Sequence, residues 1–306
     1  MMIPQRIRTI VCCLLPVWGA LLLAPSGQSE ETAVLTKTAD NEAEFLRLTK
    51  SDDGQMTAMQ SAIATYWSAP RAGGRARVDL VAAVHVADEV YFDQLNRRFA
   101  SYDSVLYELI AEADMQPGND QRQSASGVIG WMQGGMKDVL GLEFQLDQVD
   151  YTQDNFIHAD FSPKEFARVM RERGESFVEI LFTAVGRSLA VQQPESDGAT
   201  DLAVLVAFFS PQRELHLKRI LARQLVETDV AAFWTGPNGS TLITERNKKA
   251  IGVLEEEIKA GKKRLAIFYG AGHMADFHSR LTDRLDFQPG KTTWITAWDL
   301  SDRSPK

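Results

Sequence analysis

Val81-Ala82-Ala83-Val84-His85-Val86-Ala87-Asp88 and Tyr269-Gly270-Ala271-Gly272-His273-Met274-Ala275-Asp276 end in the same way. Each is an apolar run that stops at a histidine, followed by one apolar residue, Ala and Asp, and then by a helix-like pattern. A short run apolar enough to be covered on both faces reads as a strand of a parallel sheet. Residues just past the carboxyl end of such a strand stand where α/β folds place their chemistry. Two such ends, distant in sequence, bring two histidines within reach of one site.

Working outward from the first run, Arg77 to Val84 reads as the strand, and Asp88 is placed to cap a helix through Phe99 with Val90, Tyr91, Leu95 and Phe99 inward. Ser104 to Ile110 is the next strand, which completes a strand-helix-strand unit. Upstream, Thr38 to Ser68 suggests a strand and then a short hairpin or helix. The second run has a matching frame. Thr244 is placed to cap a helix with Ile251, Leu254 and Ile258 inward, and Gly261 to end it. Leu265 to Tyr269 is a strand, and Asp276 is placed to cap a helix carrying Phe277, Leu281 and Leu285.

Between the two frames the pattern is mainly helical. Asp114 to Ser126 reads as a surface loop, Val128 to Met136 as an amphipathic helix, Phe177 to Leu189 as a helix and Gln192 to Thr200 as a loop. Ser210-Pro211 opens a helix that continues past Ile220 and Leu225. The clearest start signal is Phe161-Ser162-Pro163-Lys164-Glu165-Phe166. Here Ser162 caps, Pro163 takes the first helical position, Glu165 closes a capping box and Phe161 staples onto Phe166, for a helix to about Arg173. The expected fold class is therefore α/β, with two strand-containing halves and a mainly helical insertion over about residues 127–230.

The chain has 306 residues, a formal charge of -8 and 2 cysteines. Arg6 and Arg8 precede an apolar stretch that runs to Leu23, and Ala24-Pro25-Ser26 offers a small-x-small cleavage pattern, the layout of a secretory signal. Residues 1–27 are therefore expected to be a signal peptide, 28–41 a polar linker, 42–300 the α/β domain and 301–306 a tail, in an exported protein. Pro16 and Gly19 interrupt the apolar run, which disfavours an uncleaved membrane tether. Cys12 and Cys13 leave with the signal, and the acidic balance disfavours nucleic acid as a partner.

Several residues have chemistry in reach of the strand ends. Neutral imidazole binds Zn, Mn, Co or Fe, and a carboxylate from a neighbouring strand suits the harder of these. Glu108 is the one charged residue in Val105 to Ile110, where an unpaired charge would cost several kcal/mol. His85, Glu108 and His273 are thus the candidate metal ligands. Arg246 is suited to holding a carboxylate or oxyanion, Asn247 stands beside it, and His158 precedes the capped helix and is a candidate for the same cleft. His216 and His278 fall within helices. A nucleotide loop, an HExxH helix and a GxSxG elbow are all lacking.

Taken in order, Val78 to His85, Tyr107-Glu108-Leu109, Glu245-Arg246-Asn247 and Gly270-Ala271-Gly272-His273 resemble the TraB/GumN/TIKI family, over roughly residues 42 to 287. That resemblance implies a fold like those of the erythromycin-esterase and ChaN-like proteins, and divalent-metal-dependent proteolysis by paired GxxH motifs and a glutamate. His85, Glu108 and His273 would take those places and Arg246 that of the basic residue between. The first motif departs from the pattern, with Ala82 where it has Gly. The expected function is an exported hydrolase, a peptidase with a Mn, Co or Zn cofactor, acting on a peptide or small-molecule substrate. In it Glu108 is ligand or general base and Arg246 steadies substrate. The rivals are a binding protein that sequesters a peptide or small ligand, and a haem-binding protein by analogy with ChaN-like relatives.

Overall fold

The computed structural model describes residues 44–70, 74–112, 140–176, 210, 212–227 and 239–302. The expected signal peptide, the linker, the loop at Asp114 to Ser126, the helices at Val128 to Met136 and Phe177 to Leu189, and the loop at Gln192 to Thr200 lie outside these residues. No helix among the described residues is long and apolar enough to cross a membrane.

Alternating apolar residues in Leu46–Lys50 and Met56–Trp67 form an antiparallel hairpin, β1 and β2, where a strand and then a short hairpin or helix were expected. Strand β2 is long enough to serve several partners. Along one edge it pairs with β9 (Gln288–Asp299), and along the other it pairs with β1 through Met56 to Ser61 and with β3 (Arg77–Ala83) through Ile63 to Trp67. Beyond β3 the sheet is parallel, in the order β3, β8 (Arg264–Gly270), β5 (Ser104–Tyr107) and β7 (Phe156–His158). The two histidine-bearing runs are therefore neighbouring strands, in register from Arg77↔Arg264 to Ala83↔Gly270.

Helices cover both faces of this sheet, as a doubly covered α/β arrangement requires. On one face α1 (Glu89–Phe99) packs Tyr91, Phe92, Leu95 and Phe99 against Val81, Ala83, Val105 and Phe268. Helix α4 (Arg213–Glu227) adds Leu217, Leu221 and Ala222 to the same core. On the other face α5 (Arg246–Lys259) and α6 (Met274–Ser279) pack Ile251, Leu254, Met274 and Phe277 against Val78, Leu80, Ala82 and Ile267. Full burial of each such Leu, Ile or Phe contributes about 1.5–3 kcal/mol. The α/β class is as expected from the pattern.

Several local expectations are corrected. Val90 is 63% exposed, and Phe92 takes the inward place expected for it. Asp88 precedes α1 without a side-chain cap bond, because its carboxylate accepts from Lys218 Nζ and the Asp299 amide instead. Ser240, not Thr244, caps the π-turn Thr241–Glu245 that leads into α5. Asp276 lies inside α6 and is bonded by Asn247 and Arg280. The middle segment is not purely helical, since it supplies β7 to the main sheet and a two-residue strand β6 (Glu143–Phe144), continued by the single turn α2 (Gln145–Gln148). The capping box of α3 (Pro163–Glu172) is present as read, with Ser162 Oγ accepting from the Glu165 amide and the Glu165 carboxylate accepting from the Ser162 amide.

Candidate functional site

All the residues singled out by sequence lie at or near the carboxyl ends of β3, β5, β7 and β8. His85 follows β3 and opens the two-residue strand β4 (Val86–Ala87), which pairs with β6. That ribbon fixes the backbone beside the imidazole, and the Gln145 amide donates to the His85 carbonyl at 2.8 Å. Glu108 follows β5, and its side chain is 8% exposed. His273 closes the short 3-10 turn Ala271–His273 after β8 and is 5% exposed.

Glu108 is the hub of the cluster. Its Oε1 accepts from Arg246 Nη2 at 2.7 Å and lies 3.5 Å from His273 Nε2, while its Oε2 accepts from the Gly270 amide at 2.7 Å. His85 reaches the same place, for a Cβ on Gly270 would stand 2.9 Å from His85 Nε2 and 3.3 Å from Glu108 Oε2. The close approach foreseen for the second motif thus rests on Gly270, where a methyl would collide with the imidazole. Ala82 makes no such demand: it is wholly buried and belongs to the core under α5 and α6, so the departure from glycine in the first motif leaves the cluster untouched.

Burial alone would favour the neutral form of Glu108. The Arg246 guanidinium, the strongest of the opposing influences, overcomes this and holds the carboxyl well below the usual carboxylate range. Arg246 is itself buried, which disfavours its charge, yet Asp160 and Glu108 keep its pKa well above the ordinary value.

Asp160, wholly buried two residues past β7, grips that guanidinium with both oxygens. Sequence reasoning missed it, although the signal matches that of Glu108: a lone carboxylate at the end of a short apolar run. Gln145 was also missed. Its Oε1 lies 3.0 Å from His85 Nδ1, and its Nε2 donates to the Tyr151 hydroxyl at 2.8 Å. A two-residue strand followed by one helical turn leaves no periodic trace from which to foresee it.

Two expected roles are corrected by the geometry. Arg246 is 7% exposed, and its donors go to Asp160, Glu108 and the Leu242 carbonyl, so it clamps Glu108 and has no fork to offer a substrate. Asn247 is fully buried, with its amide committed to His273 and Asp276, so it supports a histidine and does not face substrate. His158 sits on β7, edge-on to Tyr107, with its Nε2 bonded to the Leu109 carbonyl at 2.6 Å. That nitrogen is committed to the backbone beside the cluster.

The donor chemistry of the cluster suits a divalent cation, because two imidazoles and a carboxylate held ionised are borderline and hard donors together. Charge agrees. Asp160 and Glu108 share the one guanidinium of Arg246, which leaves the buried group one positive charge short. As placed, however, no three His, Cys, Asp or Glu side chains among the described residues make a ready metal-holding group.

The chain, compared with family models, with curated proteins and with solved structures, matches none of them. The class assigned to it therefore rests on its fold and its site: an α/β protein with a largely buried His-Glu-His cluster at the carboxyl ends of the parallel strands of a mixed sheet.

Proposed function

We propose that the protein is a divalent-metal-dependent hydrolase acting on a carbonyl substrate, a peptide first among them, with His85, Glu108 and His273 as the residues that would hold the ion. The observation that carries this is the convergence of two imidazoles on a buried carboxylate whose Arg246 partner is already shared with Asp160. When bound, the ion supplies a Lewis acid that polarises a carbonyl and acidifies water. The chain does the rest. Arg246 and the Gly270 amide keep Glu108 charged and oriented, and His273 is buried beside them. A carboxyl held so far below neutrality is a poor proton acceptor, which favours Glu108 as a ligand over Glu108 as the general base.

A second reading is a metal-free acid-base site built on the pair of His273 and Glu108. It is favoured by the 3.5 Å approach of His273 Nε2 to Glu108 Oε1. Turnover of a peptide library decides between them. The metal-dependent enzyme loses turnover in chelator and recovers it with Zn, Mn or Co. The metal-free enzyme is indifferent to chelator, and binding without turnover in every condition points to a sequestering protein.

A further inference from the structure

Each histidine of the cluster is held through Nδ1 by a side-chain amide, and the two amides come from unrelated places in the chain. His273 Nδ1 lies 2.6 Å from Asn247 Oδ1, and His85 Nδ1 lies 3.0 Å from Gln145 Oε1. An amide carbonyl oxygen only accepts, so the ring nitrogen opposite it must carry the proton. The orientation of Asn247 is fixed independently, because its Nδ2 meets two groups that cannot donate, the His273 carbonyl at 3.0 Å and Asp276 Oδ2 at 2.8 Å. Asp276 is in turn held by Arg280. Gln145 is anchored at both ends, by its backbone bond to His85 and by Nε2 on the Tyr151 hydroxyl. Both amides are buried, with Gln145 4% and Asn247 0% exposed, so water does not compete for these bonds.

From this we infer that Gln145 and Asn247 are matched positioning residues, which lock His85 and His273 in the Nδ1–H tautomer so that both turn an Nε2 lone pair toward Glu108. The other neutral tautomer would set N–H groups there and close the site to a cation. The inference rests on the proposed metal function only for why an Nε2 lone pair is needed. The tautomers themselves are a property of the metal-free chain.

The test is long-range 15N–1H correlation of the imidazoles in chelator-treated full chain at about pH 9, well above the ordinary histidine value. The chain has only 5 histidines, which His→Gln variants assign. Expected is a protonated Nδ1 and an unprotonated Nε2 for both His85 and His273. Gln145→Leu and Asn247→Leu then let the Nε2–H form grow in the adjacent ring, and weaken zinc binding roughly 10–100-fold. Gln145→Glu and Asn247→Asp, which keep an acceptor in place, retain the wild-type tautomer. If Asn247→Leu does not fold, the Gln145 pair carries the comparison. A protonated Nε2 in either wild-type ring overturns the inference. The expected tautomers without zinc binding would uphold it and defeat the metal function instead.

Discussion

Asp160 and Glu108 hold the same guanidinium: Arg246 Nη2 bonds Asp160 Oδ2 at 2.5 Å and Glu108 Oε1 at 2.7 Å. The pairing ties β7, β5 and α5 together at the point where their ends meet, and it sets the charge on Glu108. Breaking a buried pair on one side costs far more than the pair contributes, because the survivor stays desolvated. Asp160→Asn is therefore expected to destabilise the fold by about 3–5 kcal/mol in urea unfolding. The exposed pair of Arg168 and Glu172 is the control, and Glu172→Gln is expected to cost under about 1 kcal/mol.

Acid stability follows from the same contact. Glu108 has its folded pKa depressed, so the stabilisation is present above the unfolded value of about 4.3 and is lost as pH falls through the lower folded value. Glu165, held at about 2 chiefly by its bond to Lys249, acts in the same direction. Urea midpoints measured at falling pH are expected to decline steeply below about pH 4. The decline is expected to be shallower in Glu108→Gln.

Gly270 and Ala82 occupy matching places in the two motifs but face different surroundings. Gly270→Ala puts a methyl 2.9 Å from His85 Nε2 and is expected to abolish metal binding and turnover, with an overpacking cost of about 1–3 kcal/mol. Ala82→Gly is expected to cost about 1 kcal/mol through lost packing and greater chain freedom, and to leave the site unchanged. Equal binding by the wild type and Gly270→Ala would contradict the placement of His85.

The parallel unit was legible because strands buried on both faces leave short continuous apolar runs and amphipathic helices leave a period of 3.6 residues. Ser162 was legible because both halves of a capping box lie within four residues. Asp88 and Asp276 looked like caps for the same local reason, but tertiary partners claimed them: Lys218 and the Asp299 amide for one, Asn247 and Arg280 for the other. Glu108 was legible as a lone charge in an apolar strand. The ties from Asp160 to Arg246 and from Gln145 to His85 span 86 and 60 residues, and no local pattern records such distances.

Lys218 gives a sharp check on the Asp88 correction. Its side chain is 7% exposed and lies 3.0 Å from Asp88 Oδ1, so Lys218→Met leaves a half-buried carboxylate without its cation. A loss of about 2–4 kcal/mol is expected in urea unfolding. A helix cap alone would lose nothing, because Lys218 takes no part in capping.

Whether His85, Glu108 and His273 form one cation site is decided by calorimetric titration of the chelator-stripped full chain with Zn, Mn and Co. A single ion bound per chain is expected, with binding lost in His85→Ala, in Glu108→Gln and in His273→Ala but kept in His216→Ala. Absence of binding for all three metals, or binding unaltered by those three substitutions, would contradict it.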